Sequence, residues 1–96
     1  MSERSERIAA ALRTRLGAEH VEVEDESHRH AGHAGAASGG GHFRALVVAS
    51  RFEGLSRVAA QRAVYQALAE EMRGEIHALA LTTLTPAEWR AGGPAS

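Results

Sequence analysis

A chain of 96 residues allows one domain and leaves no room for a second core. It has no cysteine, which excludes a disulfide framework and a thiolate metal site of its own. Its net charge of −1 exerts no global pull on nucleic acid or anionic membrane.

No N-terminal apolar region or long apolar run marks a signal peptide or a membrane span, so a cytoplasmic protein with no membrane partner is expected. The six histidines are the compositional outlier, and four of them fall between residues 28 and 42.

From Ser2 to Leu16, Ile8, Leu12 and Leu16 recur on one helical face. Glu3 and Glu6 sit in the first turn, Arg13 and Arg15 in the last, and Gly17 follows as a stop. His20 to Asp25 alternates, with Val21 and Val23 toward the core and Glu22 and Glu24 toward water, the pattern of a half-buried strand. Ser27 to Gly41 is dense in Gly, Ala, His and Ser, has no apolar period and reads as a long flexible loop. His42 to Ser50 is nearly continuous apolar, which predicts a central strand covered on both faces.

Gly54 turns the chain, and Ser56 is set to cap a long helix through Met72, with Val58, Tyr65, Leu68 and Met72 on its buried side. Ile76 to Thr83 reads as a third strand. Thr85-Pro86-Ala87-Glu88 then supplies an N-cap, a proline at the first helical position and an acid at the third, with Trp89 pinning that turn to the core. Residues 1–91 form the single expected domain, and 92–96 a disordered tail.

The order α-β-β-α-β-α makes the first two strands antiparallel. The second and third, joined through a helix, are parallel with a right-handed crossover, so the fold class is α/β with a three-stranded mixed sheet. Parallel neighbours begin at the same end of a sheet. His77, opening the third strand, therefore lies near His42, opening the second, and the loop bearing His28, His30 and His33 hangs from that same end.

Val23-Glu24-Asp25-Glu26-Ser27, His30, His42-Phe43, Arg51-Phe52-Glu53-Gly54-Leu55-Ser56, Tyr65, Leu68-Ala69-Glu70-Glu71, Ile76-His77-Ala78-Leu79 and Thr85-Pro86-Ala87-Glu88-Trp89 stand in one order across about Ile8 to Trp89. In that order and spacing the chain resembles the BolA family. The resemblance implies a compact fold of the KH-like (type II) kind without its phosphate-clamping loop. It also implies a partnership with a monothiol glutaredoxin, the two proteins sharing a bridged [2Fe–2S] cluster completed by glutathione and absent from the isolated protein.

By the same resemblance, the first metal ligand is His77 and the second is His30, with His28 or His33 able to replace it in a loop longer than is usual. Free of its partner, the protein is expected to be a monomer or a weak homodimer. The output implied is iron–sulfur trafficking, iron homeostasis or its regulation.

Two other readings stay open. Relatives described as transcriptional regulators bring in DNA, for which Arg51, Arg57 and Arg62 on the long helix are the candidates. The family commonly has Arg-His-Arg where this chain has Ala60-Gln61-Arg62, and residues 51–73 hold four arginines against three glutamates, which weakens that carry-over. The spacing His28-x-His30-x-x-His33 also suits a simple zinc-binding domain.

No enzyme is expected. Asp25 and Glu26, adjacent on a strand, point to opposite faces and cannot converge on one substrate. Ser27 has no nucleophile elbow or oxyanion hole around it.

Overall fold

The computed structural model describes residues 2–27 and 41–93. The expected element order is present among the described residues, as a three-stranded sheet in the order β1-β2-β3 with helices before β1, between β2 and β3, and after β3. Helix α1 (Glu3–Ala11) starts on Ser2, whose hydroxyl accepts from the Ser5 amide. It winds wider over Leu12–Leu16 and stops at Gly17, which takes the left-handed φ of 75°.

Strand β1 (His20–Asp25) pairs antiparallel with β2 (Gly41–Val48), which pairs parallel with β3 (Ile76–Leu84). Between β2 and β3 run a single turn at Ser50–Phe52, helix α2 (Arg57–Ala67) and a short turn at Glu71–Arg73. Helix α3 (Pro86–Arg90) closes the described chain with the full capping box of Thr85 and Glu88.

The core lies on one side of the sheet. Val21, Val23, Phe43, Ala45 and Val47 turn inward with Leu79 and Leu81. They meet Ile8, Leu12 and Leu16 from the first helix and Ala60, Val64 and Leu68 from the second. Fully burying an aliphatic side chain such as Ile8, Leu12 or Leu68 contributes about 1.5–3 kcal/mol each.

Two expectations are corrected. Strand β2 is central, but helices α1 and α2 cover only its inner face. On the outer face Arg44 is exposed and His42 and Leu46 are half-buried, while Val48 is covered at the end where Trp89 stacks on His20 (centroids 4.6 Å apart). Residues 78, 80 and 82 of β3 share that outer face with Glu22 and Glu24 of β1.

The second correction concerns the long helix, which ends at Ala67 rather than Met72 and buries Ala60, Val64 and Leu68. Val58 and Tyr65 stay 60% and 40% exposed. Residues 58 and 60 lie about 200° apart on a helix, so Val58 cannot share the face that the small Ala60 brings close to the sheet. The helix ends where Arg15 of the first helical segment reaches across it. Its guanidinium donates to the Ala67 carbonyl (3.0 Å), the acceptor a further turn would need, and to Glu71 (2.9 Å).

The rim where β1 ends and β2 begins is held by short bonds. Ser27 N–H donates to the Asp25 carboxylate (2.9 Å), and its hydroxyl accepts from the His42 amide (3.1 Å). The Glu26 amide donates to the His42 carbonyl (2.7 Å) and the Gly41 amide to the Glu75 carbonyl (3.0 Å). Partial burial works against ionisation of Asp25, but hydrogen bonds from the Ser27 and Ser2 hydroxyls and the Ser27 amide, with the charge of Arg4, outweigh it. The carboxyl is held below its ordinary 3.8.

Two outcomes follow for stability. A Cβ at Gly41 would sit 2.7 Å from both the buried Phe43 ring and the Ser27 oxygen. Gly41→Ala is therefore expected to cost about 1–3 kcal/mol in urea unfolding, with the His42 amide resonance displaced. A lowered carboxyl contributes stability that is complete above the unfolded value of 3.8 and is lost as pH falls through the lower folded value. Acid titration of unfolding should thus be shallower below that value for Asp25→Asn than for wild type; identical curves would show that this carboxylate carries none of the acid dependence.

Candidate metal centre

The parallel pairing of β2 and β3 is in register except at its start. Gly41 faces Ile76 and His42 faces Ala78, so two steps along β3 answer one along β2, and the extra residue is His77. The burial pattern agrees. Ile76 belongs to the core and Leu79 packs against it, three positions apart, leaving His77 and Ala78 as successive exposed residues. A bulge of this kind re-aims a side chain. Here it turns the His77 imidazole toward that of His42, with ring centroids 5.2 Å apart and planes at 52°.

His77 is exposed, and it lies on the rim to which both ends of segment 28–40 are joined, Ser27 on one side and Gly41 on the other. His42 is a half-buried strand residue against His77, as the parallel pairing of the two strands leads one to expect. His28, His30 and His33 lie outside the described residues, as does most of the expected loop, 27–41.

Charges flank this rim in pairs. Arg44 Nε donates to Glu26 (3.3 Å), and Arg7 pairs with Glu75 just before β3. Among the described residues no group of three or more potential ligands gathers, so the rim offers two imidazoles and any fuller coordination needs donors from elsewhere. Neutral imidazole is a competent iron ligand, and histidine pairs hold one iron of Rieske-type [2Fe–2S] centres. The donor type fits one half of a bridged cluster, and a chain without cysteine cannot supply the thiolate half.

The bulge was not foreseen. Its signal is present in Ile76-His77-Ala78-Leu79, where two core-type residues stand three apart and break the strand period of two.

Arg51, Arg57 and Arg62 are all exposed, Arg51 in the turn before α2 and the other two on the helix. Five residues of α-helix separate Arg57 from Arg62 by about 140°, so the pair does not form one stripe. His20, the remaining described histidine, is engaged at the opposite end of β1, with Glu22 (2.7 Å) and under Trp89. Among the described residues, no helix is long and apolar enough to cross a membrane.

The model of the BolA-like protein family matches residues 12–88. BolA-like protein 1 of Mus musculus is 47% identical over 83 residues, covering 86% of this chain and 58% of that protein, so the chain spans about three fifths of such mammalian relatives. The DNA-binding transcriptional regulator BolA of Escherichia coli is 43% identical over 84 residues, covering 88% of this chain and 77% of its own. Among solved structures, the BolA domain of SufE1 from Arabidopsis thaliana superposes with a TM-score of 0.77 at 37% identity, over 92% of this chain and 98% of that one. The family match and the shared fold give one conclusion: the chain belongs to the BolA-like family.

Proposed function

We propose that this protein is a non-catalytic partner that binds a monothiol glutaredoxin and shares a bridged [2Fe–2S] cluster with it, His77 acting as one ligand and His30 as the second. The observation that carries the reading is the bulge. It gives an exposed imidazole at the strand start, beside His42 and at the rim from which the segment with His30 and His33 departs.

In such a complex the cluster would supply a redox-active bridge, its thiolate ligands coming from the partner and glutathione. This chain's part is to hold imidazoles on a rigid strand end, where few degrees of freedom remain to be lost on binding. A ligand set divided between two chains makes association conditional on the cluster, since whatever binds only the assembled state stabilises it by mass action. Cluster trafficking or iron regulation is the output this favours.

The relative named as a DNA-binding transcriptional regulator supports a second reading, in which α2 contacts a duplex. The divergence of Arg57 and Arg62 around the helix speaks against a single phosphate-tracking stripe there.

The deciding experiment is anaerobic reconstitution with a monothiol glutaredoxin and glutathione, followed by visible absorption and circular dichroism. His77→Ala should abolish the heterocomplex spectrum, and the weaker of His30→Ala and His33→Ala should identify the second ligand. An unchanged spectrum and an intact complex with His77→Ala would contradict the assignment. DNA affinity that falls steeply with salt and drops with Arg57→Ala or Arg62→Ala would favour the regulator instead. Tight zinc uptake by the isolated protein in equilibrium dialysis would favour a zinc-binding domain.

A further inference from the structure

His42 and His77 stand on neighbouring strands, and backbone pairing sets the distance between them. The His42 amide donates to the Ser27 hydroxyl (3.1 Å), and its carbonyl accepts from the Glu26 amide (2.7 Å). His77 is the surplus residue of the bulge, exposed beside it, and the ring centroids are 5.2 Å apart with planes at 52°. A tetrahedral zinc ion with Zn–N bonds of about 2.0–2.1 Å, each ring centre lying ~1.1 Å behind its nitrogen, holds two imidazole centroids about 5 Å apart. The observed spacing is therefore that of two rings on one ion. The last torsion of a histidine is broad and roughly two-fold, so the exposed His77 ring can turn to present either nitrogen.

The surroundings decide which ion suits the pair. The nearby carboxylates of Glu26 and Glu75 are engaged by Arg44 and Arg7, so the rim offers nitrogen rather than oxygen donors. Imidazole suits zinc, copper, nickel and iron, whereas magnesium and calcium take oxygen ligands. Among the described residues no third donor joins the two rings.

We propose that His42 and His77 together bind one divalent transition-metal cation in the protein free of any partner, with water completing the coordination. Copper(II) binds more firmly than zinc or nickel, in the usual order for nitrogen sites. With two protein ligands the affinity is moderate, below that of a complete zinc site. The site needs neither glutaredoxin nor a cluster, gives His42 a ligand's role, and does not draw on His28, His30 or His33. It shares His77 with the proposed cluster, so the cation has to leave before that cluster can form.

The test is a zinc titration of the full ¹⁵N-labelled chain, read on the ring nitrogens of its histidines, which shift on direct ligation. It contains no glutaredoxin, glutathione or iron, so its failure leaves the cluster reading intact. One ring nitrogen of His42 and one of His77 should move along a single saturation curve at one zinc per chain. Magnesium should move neither, and copper(II) should displace the zinc. The curve should persist when His28, His30 and His33 are all replaced by alanine.

His42→Ala and His77→Ala, each with its amide spectrum checked for an intact fold, should each weaken zinc binding by at least about tenfold, the lower end of what losing even an outer-shell partner costs a metal site. The ring-nitrogen shifts of the unaltered protein test the pair even where a variant fails to fold. Shifts confined to one of the two rings would overturn the proposal, as would zinc binding that disappears with the three loop histidines or zinc that moves neither ring.

Discussion

One extra residue at the start of a parallel strand pair organises the end of the sheet at which His42 and His77 meet. Between Gly41–His42 and Ile76–Ala78 the ladder accommodates two residues against one, and the surplus is a histidine. Without the surplus residue, strict alternation from Ile76 would put position 77 on the outer face alone and send 78 inward. With it, Ile76 and Leu79 both reach the core and positions 77 and 78 both remain outside. The imidazole is thereby set by backbone pairing rather than by its own side-chain contacts, which leaves it accessible while still fixed in place.

The rest of the architecture supports that rim. Helices stack on one face and bury Val64 and Leu68 against Phe43 and Val47, so the strands start from a rigid base. The rim is then laced by Ser27, which bonds back to Asp25 and across to His42, and by Gly41, whose missing side chain lets the Phe43 ring and the Ser27 oxygen approach. Among the described residues, Trp89 covers the outer face only at the end far from His77. The proposed role, offering ligands to a partner, would need a rim that is fixed, since a loose one would cost affinity in ordering.

Much of this was legible in the residues. Val21 and Val23 alternating with Glu22 and Glu24 define β1 to the residue, and the Thr85–Glu88 box places the last helix without ambiguity. The crossover rule brings His42 and His77 to one end from element order alone. What escaped depends on tertiary contact. The continuous apolar run of β2 resembles a doubly covered strand, yet among the described residues α1 and α2 both pack on the inner face of the sheet. The long helix seemed to continue to Met72 because nothing local stops it. At the observed end, Arg15, fifty-two positions earlier in the chain, takes the Ala67 carbonyl, a contact no local pattern reveals. Val58 and Tyr65 look like core residues by type, while the face that packs runs through Ala60, Val64 and Leu68, with an alanine too small to stand out in a hydrophobic pattern at its start.

The proposed function requires imidazole nitrogen bound to iron in a complex formed with a monothiol glutaredoxin. Pulsed electron paramagnetic resonance of the reduced heterocomplex, with this chain alone carrying ¹⁵N-histidine, reads that bond directly. Strong couplings from two ligating nitrogens of this chain are the predicted result, with no heterocomplex signal formed by the His77→Ala protein. A spectrum with no strongly coupled histidine nitrogen from this chain would contradict it.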